Sequence, residues 1–146
     1  MHNYIDLDFA DGEYRFALPL AQIDELQRKC GAGIGGIFAR TIKGASRVGD
    51  EIVLSPGHAE FYALDLIETV RQGLIGGKRG TVDEKEVEVD PTVARRLVNN
   101  YVLNQPLSYS WELAVAILGA CIVGYTPKKD EAAAPKTQDQ ASPTTA

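Results

Sequence analysis

Apolar residues in the first part of the chain alternate with polar ones. Ile5, Leu7 and Phe9 are spaced by two, and so are Tyr14, Phe16 and Leu18. This period predicts a β-hairpin over residues 3–18, with Asp11-Gly12 in the turn because both residue types tolerate positive φ. A two-residue turn there pairs Phe9 with Tyr14, Leu7 with Phe16 and Ile5 with Leu18. All the apolar side chains then share one face, which helices must cover, since a lone hairpin is marginal in water.

The period changes at Pro19. Leu20, Ile23, Leu26 and Cys30 recur at helical spacing, and Gly31 is a natural stop. A short helix is expected from about Ile34 to Lys43. Residues 44–54 read as irregular, with room for a short strand at Ile52-Val53-Leu54. Ser55-Pro56 predicts a helix start, and that helix should run to about Gln72. Residues 76–90 read as a glycine-rich, charged loop. Asp90-Pro91 opens the next helix, with Val93 (or Ala94), Leu97 and Tyr101 on its stripe. Pro106 breaks it, and Ser108 or Ser110 is placed to cap a last helix through Leu113, Ile117, Cys121 and Ile122. That helix is apolar on most sides, which marks it as the expected core element. The fold class predicted is α+β: an N-terminal hairpin packed on four to five helices, one domain over 1–126. Residues 127–146, small, polar and proline-containing, are expected to be a disordered tail.

Composition narrows the function classes. The 146 residues are 45% hydrophobic and 24% charged, ordinary for a globular domain. Twenty acidic residues against 15 basic ones give a net charge of -5, which argues against a general nucleic-acid binder. Arg40, Lys43 and Arg47 form a small basic cluster, read as solvated surface. The N-terminus lacks the pattern of a signal peptide, and the apolar run Leu113 to Val123 is far short of the roughly 18 residues that cross a bilayer. Cys30 and Cys121 both lie on apolar stripes and read as reduced core residues, pointing to a cytoplasmic protein.

Candidate chemistry fails on spacing. Gly31-Ala32-Gly33-Ile34-Gly35-Gly36 spells a dinucleotide fingerprint, but a helical segment precedes it where a strand is required. It reads as a helix-helix connector. Counting a calcium loop from Asp83 puts Lys85, Val87 and Glu88 where oxygen ligands and glycine belong. His2 and His58 have no metal-like spacing. No catalytic, cofactor or metal site is therefore expected. The most distinctive segment is Gly73-Leu74-Ile75-Gly76-Gly77. It reads as a glycine cap with a hydrophobic staple, and Leu74 and Ile75, flanked by Gly73, Gly76 and Gly77, are expected also to offer an exposed docking point to a partner.

The order of motifs resembles the gene transfer agent family of tail proteins, classed with phage tail assembly chaperones and also labelled phage tail tube proteins. The features that carry it are the hairpin, Leu20-Ala21-Gln22-Ile23-Asp24-Glu25-Leu26 and the GLIGG segment. The chain then continues with Leu97-Val98, Tyr101-Val102, Pro106-Leu107, Leu113-Ala114, Ile117-Leu118 and Gly124. The likeness covers roughly residues 3–125, while Gly44 to Leu54 and Lys78 to Glu88 run longer than the family pattern. It implies no catalytic residues and a non-enzymatic role beside the tape-measure protein, keeping that long helix soluble as tail tube subunits assemble. The second-ranked reading is a structural tail tube component, which would be virion-associated. A small enzyme or ligand-binding domain ranks last.

Overall fold

The computed structural model describes residues 1–127. The expected disorder of the tail therefore concerns residues that lie, from 128 onward, outside the described ones. Strands β1 (Tyr4–Phe9) and β2 (Gly12–Ala17) form the hairpin, and its apolar face is covered as expected: Ile5, Phe9, Tyr14 and Phe16 are all buried.

The register differs by two residues from the expected one. Phe9 faces Gly12, Leu7 faces Tyr14 and Ile5 faces Phe16, so the turn is Ala10-Asp11. A shift of two preserves which face each side chain takes. The cause lies on the far side of β2, where β5 (Arg79–Val82) pairs with it. A Cβ on Gly12 would run into the Thr81 carbonyl, so that glycine serves a close approach between strands. Ala10 takes the positive φ instead, at 56°, and the Tyr14 hydroxyl donates to Asp11 at 2.6 Å across the turn.

Helix α1 (Leu20–Cys30) ends on Gly31, whose φ is 67° and whose N–H donates to the Gln27 carbonyl. Helix α2 (Ile34–Ile42) follows. Residues 44–54, expected to be largely irregular, instead hold a second hairpin of β3 (Ala45–Val48) and β4 (Glu51–Leu54), with Gly49 at φ 65° in its turn. Ser55-Pro56 opens only a single helical turn, Pro56–His58, rather than a long helix. The helix proper, α3 (Ala63–Gly77), starts where Asp65 accepts the Tyr62 N–H at 2.9 Å. It ends beyond the expected Gln72, at Lys78 in the left-handed conformation.

The charged stretch after α3 is a hairpin, not a loop. β5 turns through Asp83 and Glu84, both at positive φ, into β6 (Lys85–Glu88), giving a sheet of order β1-β2-β5-β6. Thus both stretches expected to run longer than the family pattern fold as hairpins. Asp90 caps α4 (Pro91–Tyr101) as expected, accepting the Val93 N–H at 2.8 Å. Helix α5 (Leu107–Ile122) begins after Pro106 without a side-chain cap. Neither Ser108 nor Ser110 fills that role, and the buried Ser110 hydroxyl donates to the Leu107 carbonyl.

Helix α5 is a main apolar core element as expected, with six buried hydrophobic residues, but α3 shares the centre with it. Nine residues of α3 are buried against seven of α5, and α3 packs on β2, α1, α4 and α5. A smaller cluster of Leu66, Trp111 and Ala114 joins α3 to α5. There the Trp111 indole N–H donates to the Thr41 carbonyl of α2 at 2.7 Å.

Candidate interaction site

The GLIGG segment forms the last turns of α3, and its glycines sit at positions 73, 76 and 77, one face of a helix. That face lies on β2. A Cβ on Gly76 would strike the Ala17 carbonyl, and one on Gly77 the Arg15 carbonyl. One on Gly73 would press on the Phe16 and Ile117 side chains at 3.1 and 3.3 Å. Leu74 is fully buried and Ile75 half-buried against the core. The expected exposed Leu-Ile pair does not exist, and Gly73 is not the helix cap. The i, i+3, i+4 spacing of the glycines was the signal in the sequence: a small-residue helix face for close packing.

The open apolar surface is elsewhere, in a groove of about 680 Å³. One wall is Ile5 and Leu7 of β1, and the other is Ile52 of β4 with Arg47 and Asp50 of the second hairpin. Phe38 and Ile42 of α2 line it, and Val115, Ala116, Gly119 and Ala120 of α5 make its floor. A second hollow of about 450 Å³ lies against Tyr4, Asp6, Glu13 and Pro127. The two hollows share Ile5 and Tyr125. Between them His2 and Tyr125 exchange both amide bonds, at 2.7 and 2.8 Å, an isolated antiparallel bridge.

Two of the three clustered cations are paired, Arg40 and Lys43. Arg40 is not a solvated cation as expected. Its guanidinium grips the fully buried Asp65 through two bonds of 2.7 Å and donates to the Cys30 carbonyl at 2.9 Å. The bond to Asp65 holds the Arg40 pKa above its ordinary value. One side chain thereby ties the end of α1 and the start of α3 to α2. Lys43 pairs with Glu60 at 3.2 Å on the surface, and Arg47 lines the groove.

Neither thiol is set up as a nucleophile. Burial pushes Cys30 up to about 12, helped by the nearby Asp65 carboxylate, and burial also raises Cys121. Both remain protonated near neutral pH. Gly31 to Gly33 connects α1 to α2, with Gly35 and Gly36 in the first turn of α2, and Asp83 to Asp90 is spent on the β5–β6 turn, β6 and the α4 cap. Among the described residues no group of His, Cys, Asp and Glu could hold a metal, and no helix is long and apolar enough to cross a membrane.

Residues 3–124 match the family model described as phage tail tube protein, GTA-gp10. No curated protein and no solved structure matches the chain.

Proposed function

Because the chain belongs to the phage tail tube protein family, GTA-gp10, we propose that it acts without catalysis as a tail assembly chaperone. In this reading it binds the tape-measure protein in the host cytoplasm while tail tube subunits assemble. The observation that carries the choice of chaperone is the division of the strands. The larger sheet has four strands, is backed by helices and ends in a highly charged β6, while β3 and β4 stand apart as a pair. A tube wall continued from subunit to subunit needs both outer edges of a sheet free to join, and the charge on β6 opposes that at one of the two. An apolar groove beside a helical body suits transient capture of an apolar segment.

The family description itself favours a second reading, a structural subunit of the tail tube. Purified particles separate the two. A chaperone is captured with tape-measure protein from the assembling lysate and is absent from finished particles. A tube subunit is present in finished particles at many copies. Failure to co-purify with tape-measure protein under co-expression would overturn the chaperone reading.

A further inference from the structure

We propose that the outer edge of β1 is a docking site for an extended segment of another protein, one that alternates apolar and basic residues. The inference takes from the proposed function only that the occupant is a tail protein other than this chain.

Hydrogen bonding in an antiparallel pair alternates, so every second residue of an edge strand turns its N–H and C=O outward. Phe9 and Gly12 close a two-residue turn, which directs Phe9, Leu7 and Ile5 to β2. Tyr4, Asp6 and Asp8 then face away from β2. The His2–Tyr125 bridge confirms this parity, since His2 is in step with them and uses its outward groups on Tyr125. Beyond that bridge no described residue outside the sheet bonds to the backbone of Tyr4, Asp6 or Asp8. The edge therefore already accepts one antiparallel residue and stops.

Space for more lies on both faces of the same edge. The groove opens on the Ile5 and Leu7 side and the second hollow on the Tyr4 and Asp6 side. A strand laid there would send alternate side chains onto Ala116, Gly119 and Ala120, where the small α5 residues leave room. Its other side chains would meet the opposite face, where Asp6 is already paired with Arg15 at 2.9 Å but Asp8 lies directly opposite Glu13, both exposed. Like charges in that position favour a basic neighbour. The opposite edge of the sheet, Lys85-Glu86-Val87-Glu88, carries the charge that protects an edge strand.

Charge and shape also choose among occupants. A second copy's β1 would bring a second Asp8 to the Asp8–Glu13 pair, adding like charge to like. The segment from residue 128 to 146 offers an apolar groove only alanines, Pro135 and Pro143, with no larger aliphatic or aromatic side chain.

The test uses the full chain and a capped synthetic peptide of alternating valine and lysine, about eight residues long. Calorimetry should show saturable binding. Amide exchange should slow at Tyr4, Asp6 and Asp8, with little change at Leu7 and Phe9, which already bond to β2. The same peptide N-methylated along one edge should not bind, because it lacks the donors. Asp8→Lys, an exposed change that leaves folding intact, should weaken binding by about fivefold.

Equal binding of the N-methylated peptide, or protection at Val48 and Val53 instead, would overturn the proposal. So would β1 amides already protected in the free chain, whether released by dilution of a dimer or by removal of residues 128–146. Peptide binding without capture of tape-measure protein would leave this edge standing and sink the chaperone reading. The converse result would do the reverse.

Discussion

Arg40 and Asp65 lie 25 positions apart, yet they share two charge-assisted bonds of 2.7 Å around a carboxylate with no exposed surface. The same carboxylate accepts the Tyr62 N–H, and the Tyr62 ring stacks at 4.6 Å from the guanidinium carbon. Removing one partner leaves the other charged group without compensation. Asp65→Ala should therefore destabilise by about 3–5 kcal/mol. Urea unfolding followed by circular dichroism measures this, and a loss under about 1 kcal/mol would show that the pair is solvated.

The glycines of α3 should differ in their tolerance of alanine. Gly76 and Gly77 approach the backbone of β2, which cannot yield, whereas Gly73 meets side chains. Gly76→Ala and Gly77→Ala should each cost about 1–3 kcal/mol or more, despite a helix-propensity gain of about 1 kcal/mol. Gly73→Ala should cost less. Thermal melting of the three variants gives the order, and a Gly73 variant worse than both others would contradict it.

Leu74 and Ile75 should separate packing from docking. Leu74→Ala removes a fully buried side chain and should cost about 2–5 kcal/mol. Ile75→Ser, at a half-buried position, should cost less and leave partner capture intact. Loss of capture by a folded Ile75 variant would return this segment to the interaction surface.

Alkaline stability should depend on Cys30. Burial raises its folded pKa from 9.0 to about 12, so the folded state holds the proton longer than the unfolded chain does. Its contribution is fully present below pH 9.0 and is lost as pH rises toward about 12. Tyr14 has the same sign, raised by burial and by its bond to Asp11. Cys30→Val should flatten the fall in stability above pH 9.0 relative to the parent. An unchanged slope would mean that the thiol ionises freely in the folded protein.

Sequence alone determined the features whose causes are local. The one-sided hairpin, the α1 stripe from Ile23 to Cys30 (its expected first member, Leu20, is exposed) with its Gly31 stop, and the Asp90 cap of α4 depend on residues a few positions apart. Tertiary structure decided whatever depends on distant partners. Ser55-Pro56 carries a helix-start signal, yet α3 begins at Ala63 because Arg40 fixes Asp65 there. Asp11-Gly12 carries a turn signal, yet Gly12 lies in β2 because Thr81 passes too close for any side chain. The GLIGG glycines looked like an exposed end until β2 lay across them. The groove followed the same rule. Ile5 and Leu7 were legible as apolar positions, but which edge of β1 stays open depends on where β2 pairs and where α5 and the second hairpin come to rest. Spacing along a chain reports the face on which a side chain lies, and the choice of what covers that face belongs to contacts that close only when the whole chain folds.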